Sequence, residues 1–218
     1  MKKFELTSTT KMWFGKTLYQ IKALTSFGDV EAGELGGYVE KDGNLSHDGN
    51  AWVYGNARVC GNARVYGDAQ VYGNAWVYGN AQVYGNARVY GDACVCGDAW
   101  VSGNAWVCGD AWVCGDALVY GNARVSGSAQ VDGNMQVSGN AWICGDADYL
   151  VVGPIGSRND FTTLFRCKDK SIKVKCGCFY GTMDEFAAKV TATHGDNAHA
   201  KAYRAVIELA KVKFNLTE

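Results

Sequence analysis

Gly49-Asn50-Ala51-Trp52-Val53-Tyr54-Gly55-Asn56-Ala57-Arg58-Val59-Cys60 opens a run to Ala147 in which six residues recur: Gly, Asn or Asp, Ala, any residue, Val, any residue. Glycine fills every sixth position from Gly49 through Gly145, and nothing is inserted between copies. A short fixed period without helical spacing marks a β-solenoid. Side chains alternate faces along a strand, so Ala57 and Val59 share one face and Arg58 and Cys60 the other. The Ala and Val positions are nearly constant and are predicted to point inward. Gly and Asn/Asp tolerate left-handed backbone, which places the corner between two short strands at Gly55-Asn56.

An aliphatic residue followed four positions later by a small one, as in Val53 to Ala57 and Val59 to Ala63, resembles the hexapeptide repeat of left-handed parallel β-helices. That resemblance implies a left-handed triangular coil of three hexapeptides, with residues eighteen apart stacked; periodicity alone also permits another coil shape. The run would then make between five and six coils, and at ~4.8 Å per stacked strand a rod roughly 25–30 Å long. The expected class is mainly β: an N-terminal β cap over 1–36, the solenoid over 37–148, and a C-terminal α+β module over 149–218.

Outside the repeats, residues 11–24 alternate around Gly15 and read as a hairpin or two strands. Val39 and Leu45 fall in the phase of the interior alanines, so the solenoid is expected to begin near Gly37 with the preceding segment covering its open end. The repeat loosens at Ser128, Asp132 and Met135 and stops at Asp148. Beyond it, Asp160–Cys167 and Ser171–Cys176 read as paired strands. Thr182-Met183-Asp184-Glu185 has the capping-box pattern of a helix running to about Thr193. A second helix after Asp196 would carry Ala198, Ala202, Ala205, Val206, Leu209 and Val212 on its apolar stripe.

Composition narrows the function classes. Of 218 residues, 28 are Gly and 1 is Pro, a repeat composition rather than a disordered one. A net charge of −1 and a pI near 6.3 argue against nucleic acid as a partner to be coated. No apolar run follows the basic Met1-Lys2-Lys3, so no signal peptide is expected, and no stretch reaches membrane-spanning length. Nine cysteines, mostly in phase with the repeat, do not read as a secreted disulfide framework, which points to a reducing cytoplasm.

The layout also resembles bacterial and prophage-borne polymer-forming proteins of the YdcK-like kind. Tyr19-Gln-Ile-Lys-Ala-Leu, Ala32-Gly-Glu-Leu-Gly-Gly-Tyr-Val-Glu and Asn44-Leu-Ser-His-Asp-Gly-Asn-Ala-Trp-Val carry the likeness, with Val152-Gly-Pro-Ile-Gly-Ser-Arg-Asn-Asp and Thr193-His-Gly-Asp-Asn in the tail. The resemblance implies a structural role and brings no assigned activity. Other hexapeptide-repeat proteins are acyltransferases or zinc carbonic anhydrases, and both need histidine. Here His47 precedes the regular coils, and His194 and His199 follow them. No catalytic residue, cofactor or metal is therefore expected.

Two clusters could still hold chemistry. Cys94 and Cys96 point outward with Cys114 one coil from Cys96, close enough to share a metal or oxidise. Sulfurs one residue apart on a strand are expected to sit too far apart for easy chelation; alternatively cysteine simply replaces Tyr or Ser at a tolerant position. Stacked Asp92/Asp110 and Asp98/Asp116 could take calcium, or belong to side-chain ladders.

The outward aromatics carry the functional expectation. Wrapping the chain at eighteen puts Trp52, Tyr54, Tyr72, Tyr90, Trp106 and Trp142 on one face with Arg88 and Arg124 between them. Trp76, Tyr78 and Trp112 fall on a second face, and Tyr66, Tyr84, Trp100 and Tyr120 on a third. Such surfaces either mark interfaces or stack to stabilise the rod. The reading is a non-enzymatic structural and interaction protein, a rigid β-solenoid that self-associates, as a dimer or trimer, through the first face and presents its terminal modules to a protein partner; a hexapeptide-repeat acyltransferase stays as the lesser alternative. A second reading is a prophage accessory or counter-defence factor that captures a host protein with its C-terminal module. From Tyr149 onward that module has eleven Lys and Arg against seven acids, and Arg158, Arg166, Lys173 and Lys175 with the last helix would form the contact.

Overall fold

Each glycine corner ends a strand only two residues long, and the shortness of the strands is what lets the backbone turn three times per coil. A computed structural model describes residues 2–216. Gly73 and Gly91 adopt φ of 73° and 75°, the left-handed region. The corners also stack: a Cβ on Gly91 would sit 3.0 Å from the Gly109 nitrogen. Glycine is thus required twice, for backbone angle and for coil-to-coil approach.

Between corners the strands form three parallel faces. The first comprises Trp52–Val53, Gln70–Val71, Arg88–Val89, Trp106–Val107, Arg124–Val125 and Trp142–Ile143, paired at a spacing of eighteen, as in Val53↔Val71 and Val71↔Val89. The second runs through Arg58–Val59, Trp76–Val77, Cys94–Val95, Trp112–Val113 and Gln130–Val131. The third runs through Arg64–Val65, Gln82–Val83, Trp100–Val101, Leu118–Val119 and Gln136–Val137. The six strands of the first face mark about six coils. Val71 and Val89, like the other repeat valines from Val53 to Val137, are fully buried. Met135 takes an alanine slot and is buried as well.

The bonds between coils run mostly one way. Trp52 N–H donates to Ala69 O at 3.0 Å, Tyr54 to Val71 O at 2.8 Å and Asn56 to Gly73 O at 3.1 Å, each to the coil that follows, while the parallel pairing of Val53 with Val71 returns one N–H per strand pair to the coil before. One end of the rod therefore has an excess of unpaired carbonyls and the other an excess of unpaired N–H groups, and these must find partners. At the first coil Lys3 Nζ donates to Gly49 O at 3.2 Å and Ala51 O at 2.8 Å. Asn44 Nδ2 donates to Gly61 O at 3.2 Å and Ala63 O at 2.8 Å. Burial lowers the Lys3 ammonium to about 8, against the opposing pull of Asp48 and Asp68. At the last coil Cys144 N–H donates to Asp148 Oδ2 at 3.0 Å.

Strand β1 (Phe4–Trp13) and strand β2 (Lys16–Ala23) make the expected hairpin, and β1 extends further toward the N-terminus than the alternation around Gly15 suggests. Strand β2 pairs antiparallel with β3 (Leu35–Val39), which joins the second face through Val39↔Val59. Here the expected phase is corrected. Val39 and Leu45 stack on Val59 and Val65, twenty residues on, not on the alanine column. The corner at 46–50 holds two more residues than later corners, and the N-terminal strand fills in around them. His47 stacks on Phe4 at 4.3 Å, its Nδ1 accepts the Lys3 N–H at 3.1 Å, and Nε2 lies 3.0 Å from Asp42.

The far end is covered by an antiparallel sheet of Tyr149–Ile155, Asp160–Arg166, Ile172–Cys176 and Phe179–Thr182. Its first and last strands were not read from the sequence. Alternation along Asp160–Arg166 divides this module: Phe165 is fully buried in the solenoid core, whereas Leu164 packs with the helices. Helix α1 (Met183–His194) opens on the Thr182/Glu185 capping box, with Glu185 N–H 3.2 Å from Thr182 Oγ1 and Thr182 N–H 2.7 Å from Glu185 Oε2. Helix α2 (Ala198–Lys213) buries Ala200, Tyr203, Val206, Ile207 and Ala210. The expected stripe is wrong: Ala198, Ala205, Leu209 and Val212 are exposed, and only Val206 belongs to both sets. An alanine-rich helix offers two overlapping i, i+3, i+4 stripes, and the bulkier Tyr203 and Ile207 decide which one packs.

Glycine replacements separate the two demands on the corner. Gly145→Ala, at φ −173° with open space, is expected to be near neutral. Gly133→Ala, at φ 60° with open space, should cost about 1–2 kcal/mol. Gly91→Ala should cost more than either; denaturant unfolding reads the order, and equal losses would refute it. Asn44→Ala should destabilise by about 1–3 kcal/mol, because two carbonyls lose their donor, while the exposed Asn62→Ala should stay within ~0.5 kcal/mol.

Candidate functional site

The outward positions of the first face stack as columns. Tyr72 and Tyr90 lie ring on ring at 4.8 Å and 2°, and Tyr90 meets Trp106 edge-on at 6.3 Å. Arg124 holds its guanidinium 4.3 Å from the Trp106 ring and 5.7 Å from Trp142, while Arg88 sits 5.6 Å from Trp106 on the other side. Indole faces attract guanidinium, so these side chains order one another. Burial, and next the neighbouring Cys108 thiol, push the Tyr90 hydroxyl up to about 12, so it stays a neutral donor.

Trp52 does not belong to this surface. It is fully buried, edge-on to Phe27 at 5.4 Å and Phe4 at 6.2 Å, because the N-terminal segment folds over the first coil. Its Nε1 has no hydrogen-bond partner among the described residues. Tyr54 is half-buried beside the core. Of the expected set, Tyr72, Arg88, Tyr90, Trp106, Arg124 and Trp142 form a continuous column. On the other faces Trp76 is covered by Trp13 at 4.2 Å, while Trp112 and Trp100 stand 53% and 44% exposed.

Near the C-terminal end this column borders a cleft of about 820 Å³. Trp106, Arg124 and Trp142 form one wall, and the turn at Cys167, Lys168 and Asp169 overhangs it. The turn reaches this position because Cys167 bridges to Ala141 in the last coil. Sequence reasoning placed the wall and missed the overhang, since nothing in the repeat signals which face the returning hairpin crosses. Along the adjoining corner runs a ladder: Asn86 Nδ2 donates to Asn104 Oδ1, and Asn104 to Asn122, each at 3.1 Å, with Asn122 to Asn140 at 3.4 Å. Elsewhere Asn74 donates to Asp92 at 3.0 Å and Asn80 to Asp98 at 2.8 Å, which spends these carboxylates on side-chain ladders.

The four basic residues of the C-terminal module do not make one contact surface. Lys173 and Lys175 pair with Phe165 and Thr163 on the sheet side that faces the solenoid. Arg166 lies on the helix side, where it meets Asp148 at 3.2 Å and the Phe214 ring at 5.6 Å. Arg158 sits in the opposite turn, beside Gly177. Strand alternation is what separates them.

The cysteines bear out one expectation, the closeness of Cys96 and Cys114, and overturn another, the separation of Cys94 from Cys96. Cys96 and Cys114 form a disulfide between adjacent coils, with Cα atoms 4.6 Å apart. The Cys94, Cys96 and Cys114 sulfurs all lie within 4.8 Å of one another, so spacing on the strand does not keep them apart. Cys96 stands where the strand enters its corner, and the curl of the chain brings its sulfur back toward Cys94.

No helix among the described residues is long and apolar enough to cross a membrane. No curated protein matches the chain. A family model described as the YdcK beta solenoid repeat matches residues 51–67, 57–70, 69–82, 81–97, 111–127 and 117–133, which are the coils described above. Its spans and the stacked three-faced coil together identify the matched repeats, residues 51–97 and 111–133, as YdcK-type β-solenoid repeats.

Proposed function

We propose that this chain is a non-enzymatic structural protein whose rods associate side by side through the first face, as a closed dimer or trimer. The observation that supports this reading is the Tyr72, Tyr90, Trp106, Arg124, Trp142 column with the cleft beside it. Tyr, Trp and Arg are the residues that dominate interface energetics. Stacking already orders these side chains, which reduces the entropy lost on contact. A net charge of −1 sets little repulsion against two copies meeting. Lateral pairing is favoured over head-to-tail polymerisation because elements of the same chain cover both ends of the rod. The coil is taken as left-handed, after the hexapeptide-repeat resemblance. Capture of a host protein by the C-terminal module finds less support, since its basic residues are divided between two sides of a sheet.

Light scattering on the purified chain at tens of micromolar is expected to give a dimer or trimer mass. Trp106→Ala combined with Trp142→Ala should return a monomer with unchanged circular dichroism. A wild-type monomer at that concentration, or a double variant that keeps its mass, would sink the reading.

A further inference from the structure

Among the described residues, one cluster gathers three metal-ligating side chains within mutual reach, and it lies on the second face, away from the aromatic cleft. We propose that Cys94, Cys96 and Cys114, once their disulfide is reduced, form a three-thiolate site for a soft monovalent metal ion of the copper(I) class.

The coil fixes the donors. Cys94 pairs with Trp76 in one neighbouring coil and Trp112 in the other, and Cys114 lies directly beside Cys96, so the three sulfurs ride on two ladder-bonded strands. Their mutual separation, within 4.8 Å, suits three sulfurs around a single ion. Thiolates select soft ions, copper(I) and zinc among them. Zinc asks for four ligands, and no histidine or carboxylate joins this cluster. Asp132, next in the Cys114 column, is exposed and accepts the Gly133 N–H at 2.6 Å. A three-coordinate soft ion is therefore the better fit.

Access is graded in a way that suits such an ion. Cys94 and Cys96 are 3% and 8% exposed, which keeps water from two of the donors, and the more open Cys114 gives the way in. Indole rings on both sides of Cys94 supply an apolar shell.

The disulfide makes the site conditional. While Cys96 and Cys114 are bonded to each other, Cys94 alone of the three remains a free thiol. Reduction needs two electrons, which a low-molecular-weight thiol supplies: two molecules of it become one disulfide as the Cys96–Cys114 bond breaks and each sulfur takes a proton. Binding then exchanges the thiol protons for the ion, with the protons released to solvent and no change in the metal's oxidation state.

The test uses the full chain, reduced with a phosphine, desalted without oxygen and titrated with copper(I) against a chromogenic chelator. One equivalent is expected to bind, with three sulfur neighbours by X-ray absorption, and the oxidised chain should bind none at this site. Cys94→Ser, Cys96→Ser and Cys114→Ser should each lose more affinity than the roughly 10–100-fold typical of an outer-shell change. Cys60→Ser and Cys108→Ser should bind as the wild type does. Stoichiometry unchanged in Cys94→Ser, no copper held by the reduced chain, or zinc held in preference to copper would each overturn the proposal. Should a serine variant lose the wild-type circular dichroism, the sulfur count of the wild-type complex decides by itself.

Discussion

The lopsided hydrogen-bond ladder between coils is the constraint on which the rest of this structure depends. Most of the N–H groups that a coil gives to its neighbours go to the coil after it, so the stack has a polarity that no single repeat reveals. A stack of this kind cannot simply stop; one end is short of donors and the other of acceptors. The chain answers with chemically opposite residues. Lys3 and Asn44 bring N–H groups to the bare carbonyls, and Asp148 brings a carboxylate to the bare amide of Cys144. The apolar covers follow the same logic, with Phe4 and Ile21 closing one end of the valine column and Phe165 the other.

Side-chain ladders at the corners repeat this polarity in miniature. An asparagine amide both accepts and donates, so Asn86, Asn104, Asn122 and Asn140 pass one pattern along four coils. An aspartate only accepts, and the Asn80 to Asp98 run ends where the donor runs out. Choosing Asn or Asp at the same corner therefore sets how far a ladder travels without disturbing the backbone beneath it.

What could be read from the sequence divides along the same line. In the middle of the rod each inward Val and Ala and each corner Gly meets its own kind eighteen positions away, so the fate of Val71, Val89, Ala57 and the corner glycines was legible from one repeat. The columns on the first face were legible for the same reason. At the ends the contacts are long-range and unrepeated. Trp52 occupies an outward phase and is nonetheless buried, because Phe4 and Phe27 reach it from outside the repeat. The two extra residues around His47 shift Val39 and Leu45 into the valine column, a change visible only once Lys3 and Phe4 are in place. Of the candidate site, the Trp106, Arg124 and Trp142 wall was legible, and the overhanging Lys168-Asp169 turn was not, since its position follows from the docking of Phe165. In helix α2, alanine at so many positions leaves the pattern degenerate and lets Tyr203 and Ile207 override it.

The separation of covers from coils makes length an independent variable of this architecture. Each coil from Trp52 onward meets its neighbours in one register, and neither Lys3 nor Phe165 touches the middle of the stack. A segment of eighteen residues spliced in or out between Gly73 and Gly121 would change the distance between the two ends in steps of ~4.8 Å while leaving the residues that close them untouched. Gene duplication within such a chain acts as a ruler, graduated by the strand spacing.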